Sequence, residues 1–594
     1  MDKRAVADTL EQIGTLLELK GENVFKTRAY QNGARVVMGL DEDLAVLVAD
    51  KRLTGVKGIG QALADKITEL VTTGRLEYYE KLKSEFPAGF QEMLKVPGLG
   101  PKKARLLMTD LGIASLDELD AAARAGRLAD LPGFGEKTQS KILEGIEHVR
   151  KNAGRYLVNV AEAEAAALLG VIRNLDGVEQ ISLAGSLRRL GETIKDIDLV
   201  VATSTPAPIM TAFTTAPNVE AVTGHGEAKS SVRLKSGMAA DLRCVSAGEF
   251  PFALLYFTGS KAHNVALRGR AQKRGLKLNE YALERTDDSG KRVACADEAA
   301  IYRALGLEYI EPELREDTGE IEAAESGRLP GLIEPRDIKG LLHQHTNWSD
   351  GQDTLDDMIQ AAIDRGLHYF GITDHSQTAG YARGLSPERV RQQHAAIDAL
   401  QEKLGQQIRL FKGIESDILP DGRLDYDEET LAGFDYLVAS VHSSFNLSEA
   451  EQTKRIIQAV SHPKVRILGH PTGRLLLTRE PYPVNLPAVL AACAAHQVAV
   501  EINASPHRLD LDWRELRAAR EAGCQFSINP DAHSTAGLDV VRFGIGVARK
   551  GWLTAADVIN TLDRNGIEAF LDRRPAETTT RGPAVKGRSA RDQK

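Results

Sequence analysis

Histidines and carboxylates recur at similar places in the C-terminal part of the chain. The stretch LLHQHTNWSDG, residues 341–351, contains His343, His345 and Asp350. The other candidates follow or end apolar runs farther along the chain: His375, Glu415, His442, His470, Asp531 and His533. Imidazole and carboxylate groups without thiolates suit manganese, zinc or iron, and this set exceeds what one ion can use. The pattern therefore predicts a centre that binds several metal ions.

A single histidine more often packs or faces solvent than binds a metal, because its ring is amphipathic. Of the 14 histidines in the chain, 11 follow residue 340, and six of these stand at the ends of apolar runs. The remaining five share no spacing and are interpreted as packing or surface residues: His368, His394, His462, His496 and His507. Repetition at equivalent positions favours metal binding for the six.

A second group of carboxylates lies in the middle of the chain. Asp196 and Asp198 are separated by one residue at the start of an apolar strand, so their side chains share one face. Asp241, on a second strand-like stretch, is the natural third ligand. Such a group can hold a pair of divalent ions, Mg²⁺ or Mn²⁺, for in-line phosphoryl transfer.

A DxD pair alone is as often a solvated strand end, because aspartates are common near turns. Here the preceding turn also offers groups suited to a triphosphate: Gly185, Ser186 and Arg189. The combination favours a nucleotide-binding site.

Three short repeats near the N-terminus read VKGIGQALADKI, VPGLGPKKARLL and LPGFGEKTQSKIL. Each predicts a hairpin that leads into a helix, whose first amides point outward at the positive end of the helix dipole. One such hairpin is more often a simple tight turn, but three copies favour binding of a sugar-phosphate backbone without base reading. The candidate DNA-binding residues are Gly58, Gly60, Gly98, Gly100, Lys102, Lys103, Gly133 and Gly135.

Length and composition limit which kinds of protein this chain can be. The chain has 594 residues, 42% of them hydrophobic and 27% charged, so several soluble domains are expected. No apolar run reaches membrane length, the start lacks a signal-peptide core, and four scattered cysteines fit a reducing compartment. We predict a cytoplasmic, nucleoid-associated monomer without a membrane partner. The net charge of −8 is weak evidence about any one face, because metal-binding carboxylates inflate it.

Apolar periodicity predicts the elements that position these residues. After residue 340, about seven apolar runs alternate with helical stretches, which predicts a parallel sheet closed or nearly closed into a barrel. The metal-binding candidates should then meet at the carboxyl ends of the strands. Residues 311–340 are rich in acid, glycine and proline and are interpreted as a linker. The tail, residues 575–594, is predicted to be disordered and mildly basic.

The repeats resemble helix-hairpin-helix motifs, and GSLRR with DID and Asp241 resembles the nucleotidyltransferase palm. The stretch LLYFTGSKAHNVALRGRAQKRG sharpens the match to family X DNA polymerases, small gap-filling repair enzymes. On sequence alone its aromatic residues would more often be core residues. The resemblance instead implies a nucleotide site with a template contact, formed by Tyr256, Phe257, Gly259, Asn264 and Arg268.

Two features bear on how closely the chain follows that family. Leu187 and Leu190 replace the aromatic residue and the glycine usual in the family's GSxRRG motif. The N-terminal segment resembles the lyase domain of family members that form a Schiff base with an abasic sugar, and Lys66 occupies the position of the reactive amine. An exposed helix lysine without that chemistry is the alternative reading.

The C-terminal motifs HxH, TDH, SVH, GHP and DAH resemble the polymerase and histidinol phosphatase (PHP) domain, a distorted barrel with a trinuclear centre. The resemblance implies three ion sites with manganese or zinc. Their donor sets are His343, His345, Glu415 and Asp531; then Glu415, His442 and His470; and then Asp350, His375 and His533. It also implies a phosphoesterase that trims 3′ ends of DNA.

The predicted fold is multidomain: α-helical helix-hairpin-helix domains, an α+β nucleotidyltransferase palm with a thumb, and an α/β distorted (βα)7 PHP barrel. The expected boundaries are lyase-like 1–84, fingers 85–152, palm 153–247, thumb 248–315, linker 316–335, PHP 336–574 and tail 575–594. We predict a DNA repair polymerase that fills short gaps from dNTPs and carries a metal-dependent 3′–5′ exonuclease or 3′-end-processing activity. The alternatives are a PHP phosphoesterase whose degenerate polymerase half only binds DNA, and a scaffold protein with both centres inactive.

Overall fold

The computed structural model describes residues 3–38, 40, 44–87, 89–129, 131–287 and 290–573. The predicted tail lies outside the described residues. None of the helices in the described part combines the length and the apolar character needed to cross a membrane.

The N-terminal part of the chain is helical and has its own apolar core. Glycine-rich turns precede three of its helices, because Gly58, Gly98 and Gly133 take positive φ angles. The helices are α1 (Lys3–Lys20), α2 (Val24–Met38), α3 (Leu44–Ala49), α4 (Gln61–Thr73), α5 (Glu77–Ser84), α6 (Phe90–Met93), α7 (Pro101–Leu111), α8 (Leu116–Arg124) and α9 (Glu136–Asn152), with a 3-10 helix at Leu53–Gly55.

An α+β region follows. Its elements are β1 (Tyr156–Leu157), α10 (Val158–Ile172), β2 (Gln180–Leu183), α11 (Gly185–Arg188), β3 (Thr193–Ile194), β4 (Asp196–Ala202), α12 (Pro206–Thr214), β5 (Val219–His225), β6 (Lys229–Leu234) and β7 (Ala239–Val245). Five strands form a sheet in the order β2-β4-β7-β6-β5, in which only β4 and β7 run parallel, and β1 pairs with β3. The alternating buried residues of β4 and β7 face α10 and α12 in one core.

The next region is smaller and contains α13 (Phe250–Thr258), α14 (Lys261–Lys273), β8 (Leu276–Leu278), β9 (Leu283–Arg285), α15 (Glu298–Ala304) and α16 (Glu320–Glu325), with a 3-10 helix at Pro312–Leu314. Residues 316–335, interpreted from their composition as a linker, contain a helix and are packed against other elements. Glu320 is fully buried in α16, and the adjoining Arg315 is fully buried against Glu298, 2.7 Å away. Composition suggested a linker because it does not show the hydrogen-bond and ion-pair partners that these acids find in other elements.

The C-terminal region is a barrel of seven parallel strands in sequence order, as the alternation predicted. Its elements are β10 (Gly340–Leu341), α17 (Leu355–Asp364), β11 (Tyr369–Ile372), α18 (Pro387–Leu404), β12 (Arg409–Asp417), α19 (Glu428–Ala432), β13 (Tyr436–Ser440), α20 (Glu449–Val460), β14 (Val465–Leu468), α21 (Leu486–His496), β15 (Ala499–Asn503), α22 (Trp513–Glu521), β16 (Phe526–Asn529), α23 (Val541–Lys550) and α24 (Arg564–Leu571). Short 3-10 helices lie at Pro335–Asp337, Gly380–Ala382, Ala536–Val540, Ala555–Asp557 and Ile559–Thr561.

The first and last strands meet just beyond their carboxyl ends. The amide of His345 donates to the carbonyl of Ala532 at 2.8 Å, and the amide of Asp531 donates to the carbonyl of His343 at 3.1 Å. The barrel is therefore nearly closed at the mouth where the predicted metal ligands lie.

Candidate metal centres and nucleotide site

Glu415 lies at the centre of the barrel mouth. Its carboxylate is 2.9 Å from His375 Nδ1, 3.0 Å from His470 Nε2, 3.2 Å from His442 Nε2 and 3.4 Å from His343 Nε2. Each of these four imidazoles follows a different strand, two or three residues after the strand ends. One buried carboxylate thus lies within 3.4 Å of four imidazole nitrogens.

Asp350 gathers a second group on the same mouth. Its Oδ1 lies 3.3 Å from His533 Nε2, 3.7 Å from His375 Nε2 and 4.0 Å from His345 Nδ1. Asp531 Oδ1 is 3.2 Å from His345 Nε2, which links this group to the first. The structure therefore brings all nine predicted donors to one place.

The donor set suits divalent ions. His343 Nε2 and both ring nitrogens of His345 are buried without a hydrogen-bond partner among the described residues. Three groups have donor atoms within 4.8 Å of one another: His345, Asp350, His375 and His533; His343, His345 and Glu415; and His375, Glu415 and His442. Unpaired buried nitrogens beside carboxylates are costly unless an ion or proton joins them, so the residues fit metal ions.

Two carboxylates that sequence reasoning missed hold the ligands in place. Glu501 on β15 accepts from His343 Nδ1 at 2.7 Å and from the amide of His470 at 2.7 Å. Asp417, two residues after Glu415 on β12, bonds His442 Nδ1. Such contacts fix which ring nitrogen faces the metal. The period of two along β12 was the available signal for Asp417.

Charge is divided unequally among the imidazoles. Burial, followed by the neighbouring His533 and His375, lowers the pKa of His345 to about 4. Burial acts in the same direction on His442, but the carboxylate of Glu415 outweighs it and raises the pKa of His442 to about 10. His345 is therefore a neutral donor at pH 7, whereas an ion near His442 would have to displace a proton.

Arg508 and Tyr381 stand at the rim of the same mouth and were also missed. Arg508 Nε is 3.8 Å from Asp531 Oδ2, and its Nη1 is buried without a hydrogen-bond partner among the described residues. The ring of Tyr381 is 6.1 Å from that of His375, and the residue is 74% exposed. A single arginine or tyrosine in a loop has no spacing that would identify it from sequence.

In the palm, Asp198 of β4 lies directly opposite Asp241 of the parallel strand β7, and Asp196 precedes Asp198 on the same face. Burial and then repulsion from Asp196 and Asp241 raise the pKa of Asp198 to about 6. Lys229 Nζ lies 2.6 Å from Asp241 Oδ2, and Ser231 donates to Asp241 Oδ1 at 2.6 Å. The cluster already attracts a cation, so its donors suit divalent ions.

The turn before these strands approaches Asp198 closely. Gly185 has φ +63°, and a Cβ there would stand 2.3 Å from Asp198 Oδ2, so only glycine fits. Ser186 is half-buried in α11, and its carbonyl accepts from the amide of Gly191 at 2.8 Å. Arg189 donates to the carbonyl of Thr258 at 2.5 Å and to Glu316 at 3.0 Å.

The predicted nucleotide-contacting residues cluster around the end of α13. A Cβ on Gly259 would lie 3.2 Å from Arg189 Nη1, so this turn borders the arginine. The rings of Tyr256 and Phe257 meet edge to face, and Asn264 donates to the carbonyl of Tyr256 at 2.7 Å. Arg268 is exposed one helical turn farther along α14.

In the three predicted helix-hairpin-helix motifs, the backbone at the start of the second helix is sterically accessible. Gly60, Gly100 and Gly135 are the N-caps of α4, α7 and α9, and a Cβ on any of them would meet no atom within 4 Å. Lys103 lies over the ring of Phe134, at 5.6 Å, which ties the second hairpin to the third. Lys102 is exposed beside it.

Lys66 is half-buried on α4. Its Nζ donates to the carbonyl of Ala62 at 3.2 Å and lies 5.1 Å from the centre of the Tyr78 ring. The same shallow cleft is lined by Lys26 and Tyr30. A second lysine and two aromatic rings therefore surround the predicted amine.

Comparison with known proteins finds family models that match four parts of the chain. It matches family models described as helix-hairpin-helix domain at residues 1–76, SAM-like helix-hairpin-helix tandem at 90–147, DNA polymerase beta thumb at 253–316 and PHP domain at 342–504. Probable phosphatases of Thermoanaerobacter sp. (strain X514) and Edwardsiella ictaluri (strain 93-146) are 29% and 28% identical. Each of these matches covers 39% of this chain, and they cover 95% and 94% of the relatives.

A full-length relative settles the family. The protein named DNA polymerase/3′-5′ exonuclease PolX of Bacillus subtilis (strain 168) is 38% identical over 575 residues, which is 96% of this chain and 100% of the relative. The chain therefore belongs to the PolX family, the family X DNA polymerases that carry a PHP domain.

Proposed function

We propose that this chain is a DNA polymerase that fills short gaps in repair, with a separate metal-dependent 3′–5′ exonuclease in its PHP barrel. The observation that carries the proposal is the presence of two separate donor clusters on one chain, at Asp196, Asp198 and Asp241 and around Glu415. A relative with both activities in its name aligns over nearly the whole chain.

Each cluster has a distinct task. In the palm, Asp196, Asp198 and Asp241 would hold Mg²⁺ or Mn²⁺, while Ser186 and Arg189 bind the triphosphate. At the barrel mouth the nine donors would hold Mn²⁺ or Zn²⁺. Divalent ions supply charge stabilisation for phosphoryl transfer at both sites. The partners are gapped or nicked DNA and dNTPs, the protein acts as a monomer, and its place is the cytoplasm near the nucleoid.

The remaining contacts position DNA. The hairpins at Gly60, Gly100 and Gly135 would seat phosphates, because their first helical amides are open. At the barrel mouth Arg508 Nη1, which has no hydrogen-bond partner among the described residues, would donate to a phosphodiester, and the exposed ring of Tyr381 offers a surface on which the terminal base can stack.

Paired substitutions test the two-site proposal on a gapped duplex with a labelled primer. Asp198→Ala should reduce primer extension by more than about 100-fold and leave 3′ degradation intact, and His343→Ala should do the reverse. Arg508→Met should raise the KM of degradation for DNA without affecting extension.

Loss of both activities in one folded single-site variant would contradict separate sites. Failure of the wild-type protein to add nucleotides would favour a phosphoesterase whose polymerase half only binds DNA.

We also propose that Lys66 forms a Schiff base with abasic DNA, because its amine lies in a shallow cleft beside Tyr78 and Lys26, where a sugar could reach it. Borohydride should trap a covalent protein–DNA adduct with the wild-type protein and not with Lys66→Ala. Lys26→Ala keeps the Lys66 amine and should still form the adduct. An adduct of undiminished yield with Lys66→Ala would exclude this role.

A further inference from the structure

Helix α23 of the barrel lies against the palm turn that carries Arg189. The backbone of Leu190 takes φ 52°, and its side chain faces Gly546 so closely that a Cβ there would stand 2.7 Å from Leu190 Cδ1. Lys550, the last residue of α23, donates to the carbonyl of Arg189 at 3.3 Å. The PHP barrel thus touches the predicted triphosphate-binding turn directly.

Lys550 and Arg189 share one carboxylate. Lys550 Nζ and Arg189 Nε both donate to Glu316 Oε1, the latter at 3.0 Å. The Lys550 side chain is only 4% exposed and its Nζ is 4.9 Å from the centre of the Trp513 ring, so its position is fixed by packing. Burial would raise the pKa of Glu316, but Lys550 and Arg189 outweigh it, and the pKa is lowered. Glu316, whose side chain is 19% exposed, is therefore a largely buried anion between two cations.

This arrangement sets Glu316 in competition with the triphosphate. Two of the three guanidinium nitrogens of Arg189 are bonded to Glu316 and to the carbonyl of Thr258. When Arg189 turns toward phosphate, Glu316 loses part of its neutralisation. A largely buried carboxylate that loses its cation is destabilised, whereas one that keeps a cation is not.

We propose that Lys550 is a positioning residue for dNTP binding: it neutralises Glu316 from the barrel side, so that Arg189 is free to bind the triphosphate. The PHP barrel then contributes to polymerase affinity as well as to nuclease chemistry. This inference rests on the proposed polymerase activity.

The test measures binding of the next complementary dNTP to the full-length protein with Mn²⁺, on gapped DNA with a dideoxy-terminated primer. Lys550→Met keeps the aliphatic stem on Trp513 and removes the charge. We expect its dNTP Kd to rise about tenfold, the scale of one charge-assisted hydrogen bond. With an extendable primer the dNTP KM should rise similarly, while kcat and the rate of 3′ degradation stay unchanged.

A second substitution separates this role from simple packing. In Glu316→Gln/Lys550→Met the neutral amide no longer retains Arg189, so the dNTP Kd should return to within about twofold of wild type. Arg549→Met is the matched control, because it removes the neighbouring barrel contact to Glu313, at 2.7 Å, and touches neither Glu316 nor Arg189. Its dNTP Kd should be unchanged.

The possible outcomes are distinct. If the wild-type protein does not extend primers, the proposed function fails. If it does, an unchanged Kd in Lys550→Met overturns the inference. The inference is equally overturned if extension and degradation fall together, or if the double variant binds no better than Lys550→Met.

Discussion

Among single residues, Asp198 is the palm carboxylate whose ionisation should control how tightly the palm binds a divalent ion. Its pKa is raised from 3.8 to about 6, by burial first and then by Asp196 and Asp241. Because the pKa of Asp198 is higher in the folded than in the unfolded protein, its ionisation lowers the free energy of unfolding. This loss begins as the pH rises above about 4 and is complete above about pH 6. A divalent ion removes this cost, and below pH 6 it must displace a proton.

We therefore expect the Mg²⁺ concentration for half-maximal extension to rise as the pH falls below 6, approaching about tenfold per pH unit. Primer extension titrated with Mg²⁺ between pH 5 and 8 measures this. Lys229→Met serves as a comparison, because the Lys229 charge lowers the pKa of Asp198 and its loss should move the onset to higher pH. A metal requirement that stays flat down to pH 5 would show that Asp198 ionises normally.

Where a pattern repeated, the sequence predicted which side chains lie close together in the fold. Eight of the nine barrel donors were predicted because they lie at or just after a strand end, and the strand ends of a barrel share a mouth; Asp350 was predicted because the loop after the first strand can reach the same place. Glu501 and Arg508 were missed for a physical reason. A buried carboxylate inside an apolar strand and a lone loop arginine have partners that lie far away in the chain, at His343 and Asp531.

At the scale of elements, periodicity predicted the parallel strands and the glycine-led helices. Composition was a poorer guide for residues 316–335, because the partners of their acidic side chains cannot be seen in the sequence. Glu316 is paired with Lys550, and Glu320 with His263 at 2.6 Å. Each partner lies in another element, so no local window of sequence contains both members of either pair. Residues 316–335 are therefore ordered by contacts with other elements, although their composition is typical of a linker.

At the scale of the whole molecule, the palm and the barrel are joined. Their buried residues form one connected apolar cluster. Ion pairs cross the same junction: Arg542 contacts Glu162 at 2.5 Å, and Arg514 contacts Glu192 at 3.2 Å. The two resemblances seen in the sequence described each half separately, and neither contained information about how the halves contact each other.

The contact between Leu190 and Gly546 provides a test of that junction. In Gly546→Ala the added Cβ would lie 2.7 Å from Leu190 Cδ1, and Leu190 already holds a left-handed backbone at φ 52°. Because a well-packed contact resists added volume, we expect a loss of about 1–3 kcal/mol in the free energy of unfolding. Denaturant unfolding measures this loss, and the dNTP KM should rise with it, since the displaced turn carries Arg189.

Two variants control for the change itself. Leu190→Ala/Gly546→Ala frees the space and should recover part of the lost stability. Gly170→Ala, in α10 with no atom within 4 Å of the new Cβ, should instead be neutral or stabilising by up to about 1 kcal/mol. If Gly546→Ala proved as stable as Gly170→Ala and kept the wild-type KM, the barrel and the palm turn would not be packed as described. Their contact would then be too loose to transmit any effect from α23 to the nucleotide.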